Sequence, residues 1–323
     1  MLIDRPVCST VVWPARRSVR LSAPAAFWLQ ASIGLALLAG SSAPTPLYAL
    51  YQARWGFSAI TTTVVFGIYA LAVLAALLTF GSVSDRVGRR AVLLGATSAQ
   101  ALVMLVFATA SGVPSLIIAR VLQGLATGSA MGAVGAAMLD IDPDRGPLAN
   151  GLAPISGTAL GGFGAGLMVQ FLPHPAQLPY LVLLVVFVAQ AIGVYLMPET
   201  VTAPTARRGH RREGVTAASL RPRLAVPPAA RRPLLLTAPM LVAAWAIAGF
   251  YGSLSPALVR QLTGSRSPVL GGLGFSVVAG AGTVAMFALR SAAPRRFMLV
   301  GSVSILAGVG LTLVAAHAGA VPR

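Results

Sequence analysis

The segment Gly81-Ser82-Val83-Ser84-Asp85-Arg86-Val87-Gly88-Arg89-Arg90 decides how the chain is read. It is a short, charged turn between two long apolar runs, residues 58–80 and 91–110. About 20 apolar residues suffice to cross a bilayer as a helix, and each run reaches that length. A tight Gly/Asp/Arg turn joining two such spans makes an antiparallel hairpin with its basic tip at the cytoplasmic face.

Outward from this turn the pattern repeats. The 323 residues are 56% hydrophobic and only 10% charged, with a mean hydropathy of +0.81. A soluble domain carries about 25% charged residues, so most of this chain must face lipid or other apolar helices. The apolar runs predict nine spans near residues 26–48, 58–80, 91–110, 114–138, 152–171, 178–197, 234–256, 268–289 and 297–317. The expected fold is an all-α polytopic bundle. Residues 1–24 read as a cytoplasmic tail. Residues 198–233 hold eight arginines and several prolines with no run that could span, and read as a basic cytoplasmic linker.

The net charge is +17, and every one of the 24 basic residues is arginine. Such a balance on a soluble surface would suggest nucleic acid, but here the arginines fall in loops between apolar runs. The positive-inside rule accounts for them instead. With the N-terminus inside, Arg86, Arg89, Arg90, Arg145, the linker arginines, Arg290, Arg295 and Arg296 are cytoplasmic. Only Arg54, Arg260, Arg266 and Arg323 lie outside. The all-arginine set also fits a GC-rich bacterial genome and a cytoplasmic membrane.

The turn resembles the signature loop between helices 2 and 3 of the major facilitator superfamily, Gly-x-Leu-Ala-Asp-Arg-x-Gly-Arg-Lys. Gly81, Asp85, Arg86, Gly88 and Arg89 match it, with Val83, Ser84 and Arg90 as mild departures. The resemblance implies secondary transport by alternating access between two helical halves, with substrate held near the midplane. It divides the chain into a six-helix half over 25–197 and three helices of a second half over 234–323. The family usually has twelve helices, with the first, fourth, seventh and tenth lining the cavity. Without the tenth helix, one cavity wall would open to lipid, or be closed by a partner or by self-association.

Within the spans, Arg120 stands out. An ionisable group at membrane depth costs at least about 2.5 kcal/mol, so it faces a cavity or a partner. Gln123, Gly124, Thr127, Gly128 and Met131 share its helical face. The stripe resembles the family's Arg-x-x-Gln-Gly motif, which is associated with proton coupling. A structural arginine reaching the outer surface or bonding a neighbouring backbone is the other reading. In the family, the turn arginines pair with an acid at the inner end of the fourth helix. Asp140 is suitably placed for that latch, with Asp142 and Asp144 as alternatives.

Gly157, Gly161 and Gly166 in the fifth span partly match an exporter pattern, although Gly162 stands where the pattern has proline. Close helix packing is the plainer reading. Gln30 in the first span and Trp245 and Tyr251 in the seventh are cavity candidates for a bulky organic solute. Tyr48, Tyr51 and Trp55 read as anchors at the membrane interface.

No Asp or Glu falls in a predicted span, so proton coupling would rest on Arg120 and its surroundings. The single cysteine and the scattered histidines suggest no metal, and no catalytic set or phosphate loop is visible. No cofactor is expected. The reading is export of a small drug-like solute against protons by a protein that is not an enzyme. Uptake, an uncoupled facilitator, or a non-transporting remnant or subunit that needs a partner are the alternatives.

Overall fold

A computed structural model describes residues 21–80, 87–197, 228–265 and 267–320. All regular structure among them is helical: α1 (Ala23–Ser42), α2 (Pro44–Trp55), α3 (Ala59–Phe80), α4 (Arg89–Ala108), α5 (Val113–Ile141), α6 (Gly146–Phe171), α7 (Leu178–Leu196), α8 (Pro228–Thr263), α9 (Pro268–Ala288) and α10 (Pro294–Ala320). Helices α1 and α2 together form one apolar stretch, Ala23–Trp55. Among the described residues there are then nine helical stretches long and apolar enough to cross a membrane. The protein is an all-α, multi-pass membrane protein.

Local chemistry sets the helix ends. The Ser22 hydroxyl accepts from the Ala25 amide and caps α1, and Ser267 does the same for α9 through Leu270. Gly56 closes α2 at φ 67° and donates to the Gln52 carbonyl, while Gly264 closes α8 at φ 69°. Both are left-handed positions that favour glycine.

Four helix ends lie well beyond the apolar runs read from the sequence: the first stretch continues to Trp55 rather than 48, α8 continues to Thr263 rather than 256, and α6 and α8 both begin early. Helix α6 starts at Gly146 rather than near 152, because the Asp142 carboxylate accepts from the Asp144 and Arg145 amides and turns the chain early. Helix α8 starts at Pro228, within the stretch read as linker. Proline is well suited to a first turn, where its missing N–H goes unused.

The helices are held together by close backbone approach. Helix α5 lies against α3 at Gly124 and Gly128. A Cβ on Gly124 would sit 2.6 Å from the Tyr69 carbonyl oxygen, and one on Gly128 would sit 2.5 Å from that of Val73. Helix α6 is gripped on two sides. Gly157 and Gly161, four residues apart, meet the backbone of α1 at Leu35 and Ala39, while Gly162 and Gly166 face α9. Between helices already surrounded by apolar lipid, such van der Waals contact drives association.

Gly157→Ala should therefore lower the thermal stability of the purified protein, at a cost of about 1–3 kcal/mol for overpacking. Gly164→Ala, where a Cβ meets nothing within 4 Å, should leave it unchanged or slightly raised. Thermal melting in detergent compares the two, and equal shifts would contradict the packing assigned to Gly157.

Candidate functional site: a buried arginine at a proline break

The first span carries Pro44 and Pro46. Each lacks an amide proton, so the carbonyls four residues earlier, at Gly40 and Ser42, lose their helical donors. Between α1 and α2, Ala43 keeps right-handed helical angles (φ −53°, ψ −37°) and its amide still donates to the Ala39 carbonyl at 2.9 Å, so the axis continues and the ladder is broken only where the prolines lack donors. In hydrocarbon no water replaces a missing donor.

Helix α5 supplies donors. Gln123 Nε2 donates to the Gly40 carbonyl at 3.0 Å, the one Pro44 leaves bare. Arg120 Nη1 donates to the neighbouring Ser41 carbonyl at 2.9 Å and to Gln123 Oε1 at 2.8 Å. Arg120 Nη2 donates to the Tyr48 hydroxyl at 2.6 Å, beyond the break. The guanidinium thus spans both sides of the interruption. Gln100 of α4 extends the network, donating to the Gln123 carbonyl and the Thr127 hydroxyl.

Arg120 is fully buried, and no carboxylate pairs with it among the described residues. Its charge is met by carbonyl dipoles and four aromatic rings instead. The Tyr69, Phe107, Tyr48 and Phe66 ring centroids lie 5.3, 5.7, 5.8 and 5.9 Å from its central carbon. Cation–π attraction strengthens when desolvated, reaching about 2 kcal/mol. The Nε–H is buried without a partner.

A second charged cluster lies where α4 begins. Arg89 pairs with Asp140 at the end of α5, and Arg90 donates to the Tyr195 carbonyl, its guanidinium 5.4 Å from the Tyr195 ring. Gly88 precedes α4 at φ 105°. Asp142 pairs with Arg145 at 3.8 Å. Gly81, Asp85 and Arg86 fall outside the described residues.

The three cavity candidates do not converge. Gln30 is buried and donates to Met197 Sδ at 3.0 Å, which ties α1 to the end of α7. Trp245 is exposed on α8, and Tyr251 shares a hydrogen bond with Thr312 of α10 at 2.5 Å. Nor are Tyr48 and Tyr51 interface anchors. Both are buried, because Tyr48 accepts from Arg120 and Tyr51 bonds the Tyr180 hydroxyl at 3.2 Å.

The model of the Major Facilitator Superfamily matches residues 25–321. The chain belongs to the Major Facilitator Superfamily. It is a multi-pass protein of the secondary-transporter class, not an enzyme. Among solved structures it is similar to a mutant of the nucleoside transporter NupG, at 10% identity and a TM-score of 0.58. The match covers 83% of this chain and 69% of that one. At that identity the likeness concerns the fold alone. No curated protein matches by sequence.

For this superfamily member the sequence reading picked out Arg120 and Gln123 but missed Tyr48, Phe66, Tyr69, Gln100 and Phe107. The proline pair was the available signal: two donors removed within three residues of a span demand side-chain donors nearby. Gln123→Ala should cost about 1–2 kcal/mol. In a Pro44→Ala background, where residue 44 regains its amide, part of that cost should disappear. A double-mutant cycle by thermal melting measures the coupling, and additive penalties would remove Gly40 as the partner of Gln123.

Proposed function

We propose that this protein is an exporter that moves a small, drug-like organic solute out across the cytoplasmic membrane against a flow of protons, with its N-terminus in the cytoplasm. The reading rests on Arg120, a permanent charge at membrane depth with no counter-ion among the described residues. A guanidinium keeps its proton in proteins, so it acts as a fixed charge and not as a proton carrier. Its field disfavours any second cation in the space between the halves. A proton and a cationic or polar solute would then be taken in turn, which is the requirement for exchange.

The arginine distribution supports the orientation. The Arg89–Asp140 pair supports a latch at the cytoplasmic end, held in one state and released in the other, with Gly81, Asp85 and Arg86 as its further members. Trp245 and Tyr251 on α8 remain candidates for solute contact, and Gln30 acts by fixing α1 to α7.

A second reading, a membrane subunit that works with a partner or a second copy, draws support from α10. Its Leu306, Leu311, Leu313 and Val314 side chains are exposed.

The test is uptake of a lipophilic fluorescent dye into inverted membrane vesicles carrying an inside-acid pH gradient. Accumulation that a protonophore collapses is expected, and it should be abolished by Arg120→Ala and by Asp85→Asn at unchanged membrane levels. Full accumulation in both variants would overturn the mechanism. No accumulation by the wild type, together with a stable co-purifying partner, would favour the subunit reading.

A further inference from the structure

At the end of the bundle away from Asp140, Asp142 and Asp144, a groove of about 510 Å³ opens between the halves. Helix α6 separates the two ends: its 26 residues extend about 39 Å at 1.5 Å per residue. The groove is walled by Leu50 and Ala53 of α2, Val169 of α6 and Pro256 of α8, so its surface is largely apolar. Among the described residues, one charge reaches it. Arg260, near the end of α8, lines the groove and is partly buried.

The partner of Arg260 is a poor one. Its Nη2 donates to Gln52 Oε1 at 3.4 Å, at the long limit for a hydrogen bond, and the acceptor is neutral. Gln52 is already engaged through its amide nitrogen, which donates to the Thr62 hydroxyl at 2.9 Å. The three carboxylates among the described residues all belong to the opposite end. A guanidinium beside an apolar groove, satisfied among the described residues only by a stretched bond to a neutral amide, matches a ligand with one anionic head and an apolar body. A charge-assisted bond is shorter and roughly twice as strong as a neutral one, so such a head outcompetes Gln52.

We propose that this groove is a binding site for an amphipathic organic anion, with its head on Arg260 and its chain along Leu50, Val169 and Pro256. The Gln52–Arg260 bond crosses from α2 to α8, between the two halves. Occupancy of the site therefore replaces a contact between the halves with a contact to ligand. The site stands apart from Arg120 and does not depend on the direction or coupling of transport.

The probe is dodecanoate, titrated calorimetrically into the full chain in phosphatidylcholine nanodiscs, with empty nanodiscs subtracted. Saturable binding is expected. Arg260→Gln should weaken it by about ten-fold, and Leu50→Trp, which fills the groove, should abolish it. Gln52→Ala, which removes the competing acceptor, should tighten it. Neutral dodecanol should bind the wild type no better than dodecanoate binds Arg260→Gln.

Dodecanol binding equal to that of dodecanoate would overturn the proposal, as would dodecanoate binding unaffected by Leu50→Trp. If Arg260→Gln does not fold, the Leu50→Trp and dodecanol results decide. Replacing half of the lipid by phosphatidylglycerol identifies the source of the anion. Competition with dodecanoate assigns the site to membrane lipid, no competition assigns it to a free amphiphile, and both support the site.

Discussion

Two prolines in one membrane span leave carbonyls that water cannot reach, and much of the first half is arranged around satisfying them. A bare carbonyl in hydrocarbon costs several kcal/mol. Gln123 delivers a donor to the freed Gly40 carbonyl, and Arg120 one to Ser41 beside it, only if α5 lies close to α1. The same helix must also lie close to α3, because Tyr69 and Phe66 complete the ring of π faces around the guanidinium. Gly124 and Gly128 make that second approach sterically feasible. The polar residues and the glycines of the stripe therefore serve one arrangement. A lysine would not replace the arginine, since a single ammonium lacks the planar fork that reaches Ser41, Gln123 and Tyr48 together.

The break also divides the first span mechanically. Below it, α1 is held to α6 where Gly157 and Gly161 admit the backbone of Leu35 and Ala39. Beyond it, the Thr45 hydroxyl donates to the Gly252 carbonyl of α8 at 3.1 Å, and Gln52 meets Arg260. Helix α2 thus continues α1 in sequence while its polar contacts run partly to α8. A rigid movement of α8 must either break those bonds or carry α2 with it. If it carries α2, the motion is concentrated at residues 40–46, where the helical ladder is already interrupted, Gln123 holds the carbonyl that Pro44 frees and Arg120 holds its neighbour at Ser41. Interruptions in transporter helices are tolerated where protein groups satisfy the backbone.

The spans were legible because hydropathy and length are properties of each segment alone, and Arg120 because an isolated charge among apolar residues is costly wherever it points. Packing glycines were legible as a spacing, though not which neighbour each admits. Gly157 and Gly161 turn to α1, whereas Gly162 and Gly166, one and five residues further than Gly161, turn to α9. Gln30 and Tyr48 resisted reading for a common reason. A polar side chain in a span can face a cavity or bond a neighbouring helix, and only the partner distinguishes them. Met197 for Gln30 lies 167 positions away, and Arg120 for Tyr48 lies 72 away. Helix boundaries at Gly146 and Pro228 were displaced because helices continue past their apolar core when a turn or a proline starts them well.

The structural and coupling readings of Arg120 do not compete. A guanidinium tied to one carboxylate would be neutralised locally and would exert little field at a distance. Here the balancing groups are dipoles and quadrupoles, whose fields decay faster with distance than that of the charge they stabilise. The net positive charge is therefore still felt beyond its own shell, in a medium where screening by water is weak. The bonds that hold Arg120 against the proline break thus place a permanent cation inside the membrane without cancelling it. Any second cation brought near Arg120 in that apolar surround meets the field uncancelled.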